Sequence, residues 1–269
     1  MNFTRRFVVK PGEKVRLSKH KTDDTAGIRD KDRARDRLKE NVRRLAELQR
    51  LLYAENKHAL LIVLQALDTG GKDGTIRHVM SGVNPQGCRI TSFRTPSAEE
   101  LDHDYLWRIH RAVPPRGEIG IFNRSHYEDV LIVRVHNLVP RSVWSPRYEQ
   151  INLFEKLLAD NHVTLLKFYL HISKKEQKAR LLARIENPAK NWKVNPDDFE
   201  ERKYWAKYMR AYEDALTRCS TDYAPWFIIP SDKKWFRNLA VSEIIVETLE
   251  RLNMRFPPPS CDLSKLRID

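Results

Sequence analysis

Between Leu60 and Ile76 the sequence runs Leu-Leu-Ile-Val-Leu-Gln-Ala-Leu-Asp-Thr-Gly-Gly-Lys-Asp-Gly-Thr-Ile. An apolar run short enough for a buried strand breaks at Asp68-Thr69-Gly70-Gly71 and resumes at Thr75 as a helix. Strand, glycine-rich turn, lysine and helix make the layout of a phosphate-binding loop. The backbone N–H groups of Gly70, Gly71, Gly74 and Thr75, with Thr69 beside them, are aimed at one anion, and Lys72 adds a full positive charge. Two departures from the usual loop are informative: Ala66 stands where its first glycine belongs, and Asp73 where a hydroxyl residue touches magnesium. Two carboxylates, Asp68 and Asp73, would repel a bound phosphate unless a divalent cation sat between them. Oxygen-only ligands of this kind suit Mg²⁺. The plainer alternative is a turn without ligand whose carboxylates cap the helix.

A second polar cluster, Asn123-Arg-Ser-His-Tyr-Glu-Asp129, leaves another apolar run. Arg124 is suited to bidentate phosphate recognition and Arg134 follows it. Ser125, Glu128 and Asp129 would also satisfy free N–H groups at a helix start. His126 and His78 read as packing residues, because phosphoryl transfer needs little base catalysis. Further on, Arg180, Arg184, Lys190 and Lys193 surround the break at Asn187-Pro188. A basic, exposed segment there, about 180–198, reads as a lid able to close over phosphates. A solvated helix end whose cations favour the macrodipole explains the same charges.

The elements that must hold these clusters alternate. The sequence predicts strands at 60–66, 89–93, 118–122, 163–172 and 225–230. Helices are expected at 30–55, from the turn to about 80, at 97–113, 130–135, 142–159, 173–186, 199–218 and 235–252. Residues 187–198 read as an exposed loop. Such alternation means a parallel sheet covered on both faces, an α/β fold, with ligands beyond the C-terminal strand ends. The two clusters, and Ser173 and Ser231–Lys234, fall at those ends. Residues 1–30 read as an irregular arm, 31–256 as one domain, and 257–269, with Pro257-Pro258-Pro259, as a tail.

The 269 residues, 41% of them hydrophobic, can bury a full core. The apolar stretch from Ala59 to Leu67 is far too short to span a bilayer, and the N-terminus lacks an apolar signal core. Three scattered cysteines indicate neither a disulfide framework nor a zinc site, so a reducing cytoplasm is expected. The net charge of +13, 49 Lys+Arg against 36 Asp+Glu, calls for an acidic partner without choosing one. The aromatic helix face Tyr204, Trp205, Tyr208 and Tyr212 suits either core or subunit contact.

Three stretches resemble the polyphosphate kinase 2 family: Leu67–Thr75, Asn123–Asp129 and the lid-like Arg184–Lys193. Gly82–Gly87 and Ser220–Trp226 are also similar to it, and the likeness runs over about residues 10–255. It implies a three-layer α/β/α P-loop kinase-like sandwich with a five-stranded parallel sheet and a lid. It implies reversible Mg²⁺-dependent transfer of the terminal phosphoryl group between inorganic polyphosphate and AMP or ADP, forming ADP and ATP. By the same resemblance Asp68 and Asp73 hold metal, and Lys72 is the loop lysine. Arg124 and Arg134 lie near the transferred phosphate, Asn123 and Glu128 line the nucleotide and phosphate site, and Arg180, Arg184 and Lys193 meet polyphosphate. Asn123 with Glu128 is similar to the subgroup that accepts both AMP and ADP, and Asn191 stands where that subgroup often has a lid arginine. A homo-oligomer, dimer or tetramer, is expected, with neither nucleic acid nor membrane as partner. A linear polyanion without bases suits a basic groove lacking stacking platforms, whereas single-stranded nucleic acid would want aromatics along it. Two other readings share parts of this chemistry: an ATP-dependent nucleoside or nucleotide kinase, and a nucleic-acid-binding protein using the basic surface.

Overall fold

A computed structural model describes residues 2–267. Met1, at the start of the expected arm, and Ile268 and Asp269, at the end of the expected tail, lie outside the described residues. Five parallel strands form one sheet: β1 (Ala59–Gln65), β2 (Cys88–Ser92), β3 (Ile119–Asn123), β4 (Val163–His171) and β5 (Trp226–Pro230), in the order β2-β3-β1-β4-β5. β1 is central and buried at all seven positions. Its side chains alternate between two cores, as the strand period of two requires. Leu60, Ile62 and Leu64 join one cluster, and Ala59, Leu61 and Val63 the other.

The first of those clusters is covered by α1 (Phe3–Phe7), α2 (Lys31–Glu55) and α12 (Lys234–Arg251), with α3 (Lys72–Val79) beside them. α2 starts where Asp30 accepts hydrogen bonds from the N–H groups of Asp32 and Arg33, and ends at Asn56 in the left-handed region. Its residues Leu45, Leu48 and Leu52 supply the buried stripe. The opposite face carries α5 (Trp107–Arg111), α8 (Arg147–Asp160) and α11 (Trp205–Cys219). Tyr208 and Tyr212 lie in that core. The sheet, its two helical layers and their order match the expected three-layer α/β/α architecture.

Several expected elements differ. The arm is not irregular at its start, because Phe3 and Phe7 of α1 pack on Phe236 and Val8 bridges to Phe227. The helix expected over 97–113 is two, α4 (Ala98–Asp102) and α5. Ser97 and Glu100 form the expected capping box, but Asp104 turns the chain by taking the N–H of Leu106 at 2.9 Å. The expected helix at 142–159 breaks at Pro146 into α7 (Arg141–Trp144) and α8, since proline lacks the N–H an interior position needs. The helix at 130–135 shrinks to α6 (Ile132–Val135), preceded by a 3₁₀ turn at His126–Val130. At α9 (Lys174–Ile185) Ser173 caps Glu176, but the reciprocal bond is missing: Glu176 pairs with Arg180, and the N–H of Ser173 goes to Asp232. The expected loop 187–198 holds a 3₁₀ turn at Pro188–Lys193, and the long helix expected from 199 begins as the separate α10 (Asp197–Glu201).

Candidate active site

The turn that leaves β1 is shaped by contacts a larger residue could not make. A Cβ on Gly70 would lie 2.6 Å from the Cβ of Ala66 and 2.8 Å from the carbonyl of Leu67. Gly71 has φ +112°, and a Cβ there would lie 1.8 Å from Nη1 of Arg237. Thr69 and Arg124, at the ends of β1 and β3, have φ of +61° and +65°, a region that non-glycine residues rarely occupy. Strained backbone thus lies at both strand ends where the polar clusters were expected.

Lys72 opens α3 and is buried; its Nζ donates to the carbonyl of Ala66 at 2.9 Å. Burial lowers its pKa, opposed by Asp68, Glu128 and Asp73, while Arg124 reinforces the lowering. Arg124 donates to Oδ1 of Asp68 at 2.9 Å, and Asn123 Nδ2 to Oδ1 of Asp73 at 2.9 Å. Glu128 lies behind them, its pKa raised by burial against the pull of Arg124 and Lys72. Thr75 is buried and its hydroxyl donates to the carbonyl of Gly71 at 3.1 Å. Asp68, Lys72, Asp73, Asn123, Arg124 and Glu128 therefore meet at the C-terminal edge of β1 and β3.

The segment Ser125–Asp129 is fastened from behind. Ser125 accepts from Gln65 Nε2 at 3.0 Å, and Asp129 pairs with Arg147 at 3.0 Å. His126 and Tyr127 both bond to Glu155, which is buried with Lys167 at 2.5 Å. His126 is thus a core residue. His78, at the end of α3, bonds back to the carbonyl of Gly74.

Two expected residues sit elsewhere. Arg134 donates to Asp214 at 2.6 Å and to Tyr148 at 3.0 Å and lies over Trp144. Those contacts turn it toward α8 and α11, not toward Lys72. Arg180 is not an exposed lid cation, because its buried guanidinium donates to the carbonyls of Thr69, Gly70, Ser231 and Asp232. Arg184 does remain on the lid segment, paired with Asp198 at 3.1 Å. Lys193 is exposed, with Nζ 4.8 Å from the ring centre of Trp192.

Three contributors escaped the sequence reading. Asp198 feels the charges of Asp68, Arg184, Arg124 and Lys72, and its pKa is raised by burial first and Asp68 next. Gln177 donates to the carbonyl of Asp68 at 3.0 Å. Arg237 packs under Gly71 and Gly74. None of the three carried a signal in the sequence, because the lid segment also holds Glu186 and Asp197 and an acid at 198 does not stand out.

The donor set fits a magnesium ion. Asp68 and Asp73 offer oxygen alone, and each has one oxygen bonded to a neighbour, leaving the other for a ligand. Among the described residues no three carboxylate, histidine or cysteine side chains gather closely enough to hold a metal unaided. Asp68 and Asp73 would hold the ion, leaving its other positions to phosphate oxygens and water.

A family model described as polyphosphate kinase 2 (PPK2) matches residues 28–257. The AMP/ADP-polyphosphate phosphotransferase of Meiothermus ruber is 52% identical over 98% of this chain and 100% of that one. The ADP-polyphosphate phosphotransferase of Rhodopseudomonas palustris is 49% identical over 94% of this chain and 92% of that one. The crystal structure of Polyphosphate Kinase 2 from Arthrobacter aurescens TC1 superposes with a TM-score of 0.95 at 40% identity, covering 98% of this chain and 94% of that one. With the sheet order, the turn after β1 and near full-length similarity in agreement, the chain belongs to the polyphosphate kinase 2 family.

Proposed function

We propose that this chain transfers the terminal phosphoryl group of inorganic polyphosphate to AMP and ADP, forming ADP and ATP, and runs the reaction in reverse. The observation that carries the reading is the Asp68–Arg124 pair at 2.9 Å beside buried Lys72, on a turn that only glycine can make. The names of the relatives support the substrates. One is named for AMP and ADP and the other for ADP alone.

In this reading the 70–75 turn is a P-loop in which Lys72 and the N–H groups from Gly71 to Gly74 hold phosphate oxygens, those of Gly70 and Thr75 being bonded to the carbonyls of Leu67 and Gly71. Asp68, with Asp73, would hold Mg²⁺, which supplies charge neutralisation at the crowded phosphates. Arg124 balances charge that shifts during transfer, oriented by its bond to Asp68 and with the charge of Glu128 nearby. Burial of Lys72 strengthens its contacts with the carboxylates around it, whereas Asp73 is exposed and Asp68 and Arg124 are partly so. The lid, with Arg184 and Lys193, would close over the chain and exclude water. Arg134 joins the transfer only if it leaves Asp214. Cys88, Cys219 and Cys261 are free thiols, one of them exposed, which suits a reducing cytoplasm. A dimer or tetramer belongs to the same reading, with solution mass by light scattering as its measure.

The test is purified protein with Mg²⁺, polyphosphate and AMP or ADP, scored for ADP and ATP. Lys72→Ala and Asp68→Ala should each lower kcat by roughly 10²-fold or more with the fold kept, as loss of a buried electrostatic contact at a reacting centre does. Near-normal turnover in both variants, or turnover only when ATP replaces polyphosphate as donor, would overturn it. The second outcome would identify an ATP-dependent nucleotide kinase.

A further inference from the structure

Two guanidinium groups lie beneath the turn rather than above it. Arg180 is 8% exposed and Arg237 2%. Arg180 Nη1 donates to the carbonyls of Thr69 at 3.0 Å and Gly70 at 3.2 Å, and Nη2 to those of Ser231 and Asp232. Arg237 Nη1 reaches the same Gly70 carbonyl at 3.4 Å, while its Nε and Nη2 donate to Oδ1 of Asn238. Glu176 pairs with Arg180 at 2.8 Å, whereas among the described residues no carboxylate pairs with Arg237. The guanidinium of Arg237 also fills the space where side chains on Gly71 and Gly74 would start, 1.8 and 3.2 Å from the Cβ positions.

We propose that Arg180 and Arg237 are positioning residues that fix the Gly70–Gly71 peptide, holding its carbonyl down so that its N–H faces the bound phosphate. A trans peptide is planar, with C=O and N–H on opposite sides, so a carbonyl held from below sets the N–H above. Between two glycines that plane is easily turned over, since neither residue resists positive φ. A turned plane would aim the carbonyl dipole at the anion and remove one donor from the cradle. The neighbouring peptide needs no such control, because the N–H of Gly70 is already bonded to the carbonyl of Leu67 at 2.9 Å.

The pair also stores a charge that phosphate can answer. Burial, with Arg180 next to it, pushes the Arg237 guanidinium down to about 9. Arg180 has Glu176 as its counter-ion, but Arg237, buried beside it, has none among the described residues, and an uncompensated buried charge is costly. An anion on the far side of the turn supplies one, so ligand should stabilise the intact pair more than a variant lacking it.

The inference rests on the turn being a phosphate site, and one experiment separates the two. Wild type, Arg237→Met, Arg237→Lys and Lys72→Ala are compared for kcat and KM with polyphosphate, ADP and Mg²⁺, and for the Tm shift that tripolyphosphate alone produces. Arg237→Met should keep or raise the Tm of the free protein, lower kcat about tenfold and lose most of the tripolyphosphate shift. Arg237→Lys, retaining charge without the planar fork, should recover part of that shift. Should Arg237→Met be insoluble, Arg237→Gln carries the same expectation. Wild-type kcat and shift in the Arg237 variants, with Lys72→Ala inactive, would overturn the positioning role and leave the phosphate site standing. A lower Tm with unchanged kinetics and an unchanged shift would also overturn it, as the mark of a packing residue. Full activity in Lys72→Ala as well would remove the phosphate site itself.

Discussion

Residue types at the turn were readable in the sequence, but their partners were not. Asp68, Lys72 and Asp73 stand within one turn of chain, so their meeting follows from local geometry. Arg124 could be placed because it follows a buried strand. Arg180 was misread because a basic side chain near a phosphate loop has two destinations, and spacing does not tell an anion from a backbone carbonyl, while Arg134 rests on Asp214 and Tyr148. Arg237 was invisible for the same reason: on α12 it looks like any helix cation, and only packing reveals a guanidinium under Gly71. The acids behind the site make a titration expectation at this scale. Burial, against the opposing charges of Arg147 and Arg108, raises Asp129 to about 6. The fold therefore favours the protonated form. The group's contribution to stability is full below the unfolded value near 3.8 and is lost as pH rises through about 6. That loss is on the order of 2–3 kcal/mol at most, from a shift of about two units. Asp129→Asn cannot ionise, so its Tm relative to wild type should climb between pH 4 and pH 7. A difference that stays flat across that range would show that Arg147 fully compensates the buried carboxylate.

At the scale of elements, strands were the legible part. β1, β4 and β5 are apolar runs bounded by turn residues, and a run buried on both faces of a parallel sheet has little other use. Helix continuity was less legible. The breaks at Asp104 and Pro146 fall in stretches whose apolar spacing continues across them, so periodicity hides them while a side-chain bond and a missing N–H impose them. The opening arm was misjudged because two phenylalanines four residues apart amid charges look like a solvated segment. In fact Phe3 is 1% exposed and meets Phe236 edge-on at 5.8 Å. α1 therefore belongs to the core beneath β5 and α12. Phe3→Ala should destabilise the protein by about 3 kcal/mol, the lower end for a buried phenylalanine, because a terminal helix can settle into part of the cavity. For a chain of this size that is a fall in Tm of roughly 6–12 °C. Thermal unfolding followed by circular dichroism measures it, and a change within a degree would return α1 to the status of a loose arm.

The whole molecule carries a net charge of +13, yet very little of that charge can act at a distance. At physiological ionic strength the Debye length is about 8 Å, so a substrate feels only the cations it passes closely. One group of them lies between the lid and the start of α12. Lys234 has its pKa lowered by burial first, then by Arg180, and further by Lys190 and Arg237 against the pull of Glu176. Lys193 stands exposed on the same lid segment. A short phosphate donor would reach the turn and Arg124 alone. A long polyphosphate would also lie along the lid cations, releasing more counterions from its own backbone when it binds. The slope of log KM against log salt should therefore be steeper for long-chain polyphosphate than for tripolyphosphate, and Lys190→Ala with Lys193→Ala should bring the two slopes together. Initial rates at several NaCl concentrations, with ADP and Mg²⁺ saturating, give both slopes. Equal slopes in the unmodified protein would mean that the chain beyond the first few phosphates stays in solvent, and that the basic excess serves something other than this substrate.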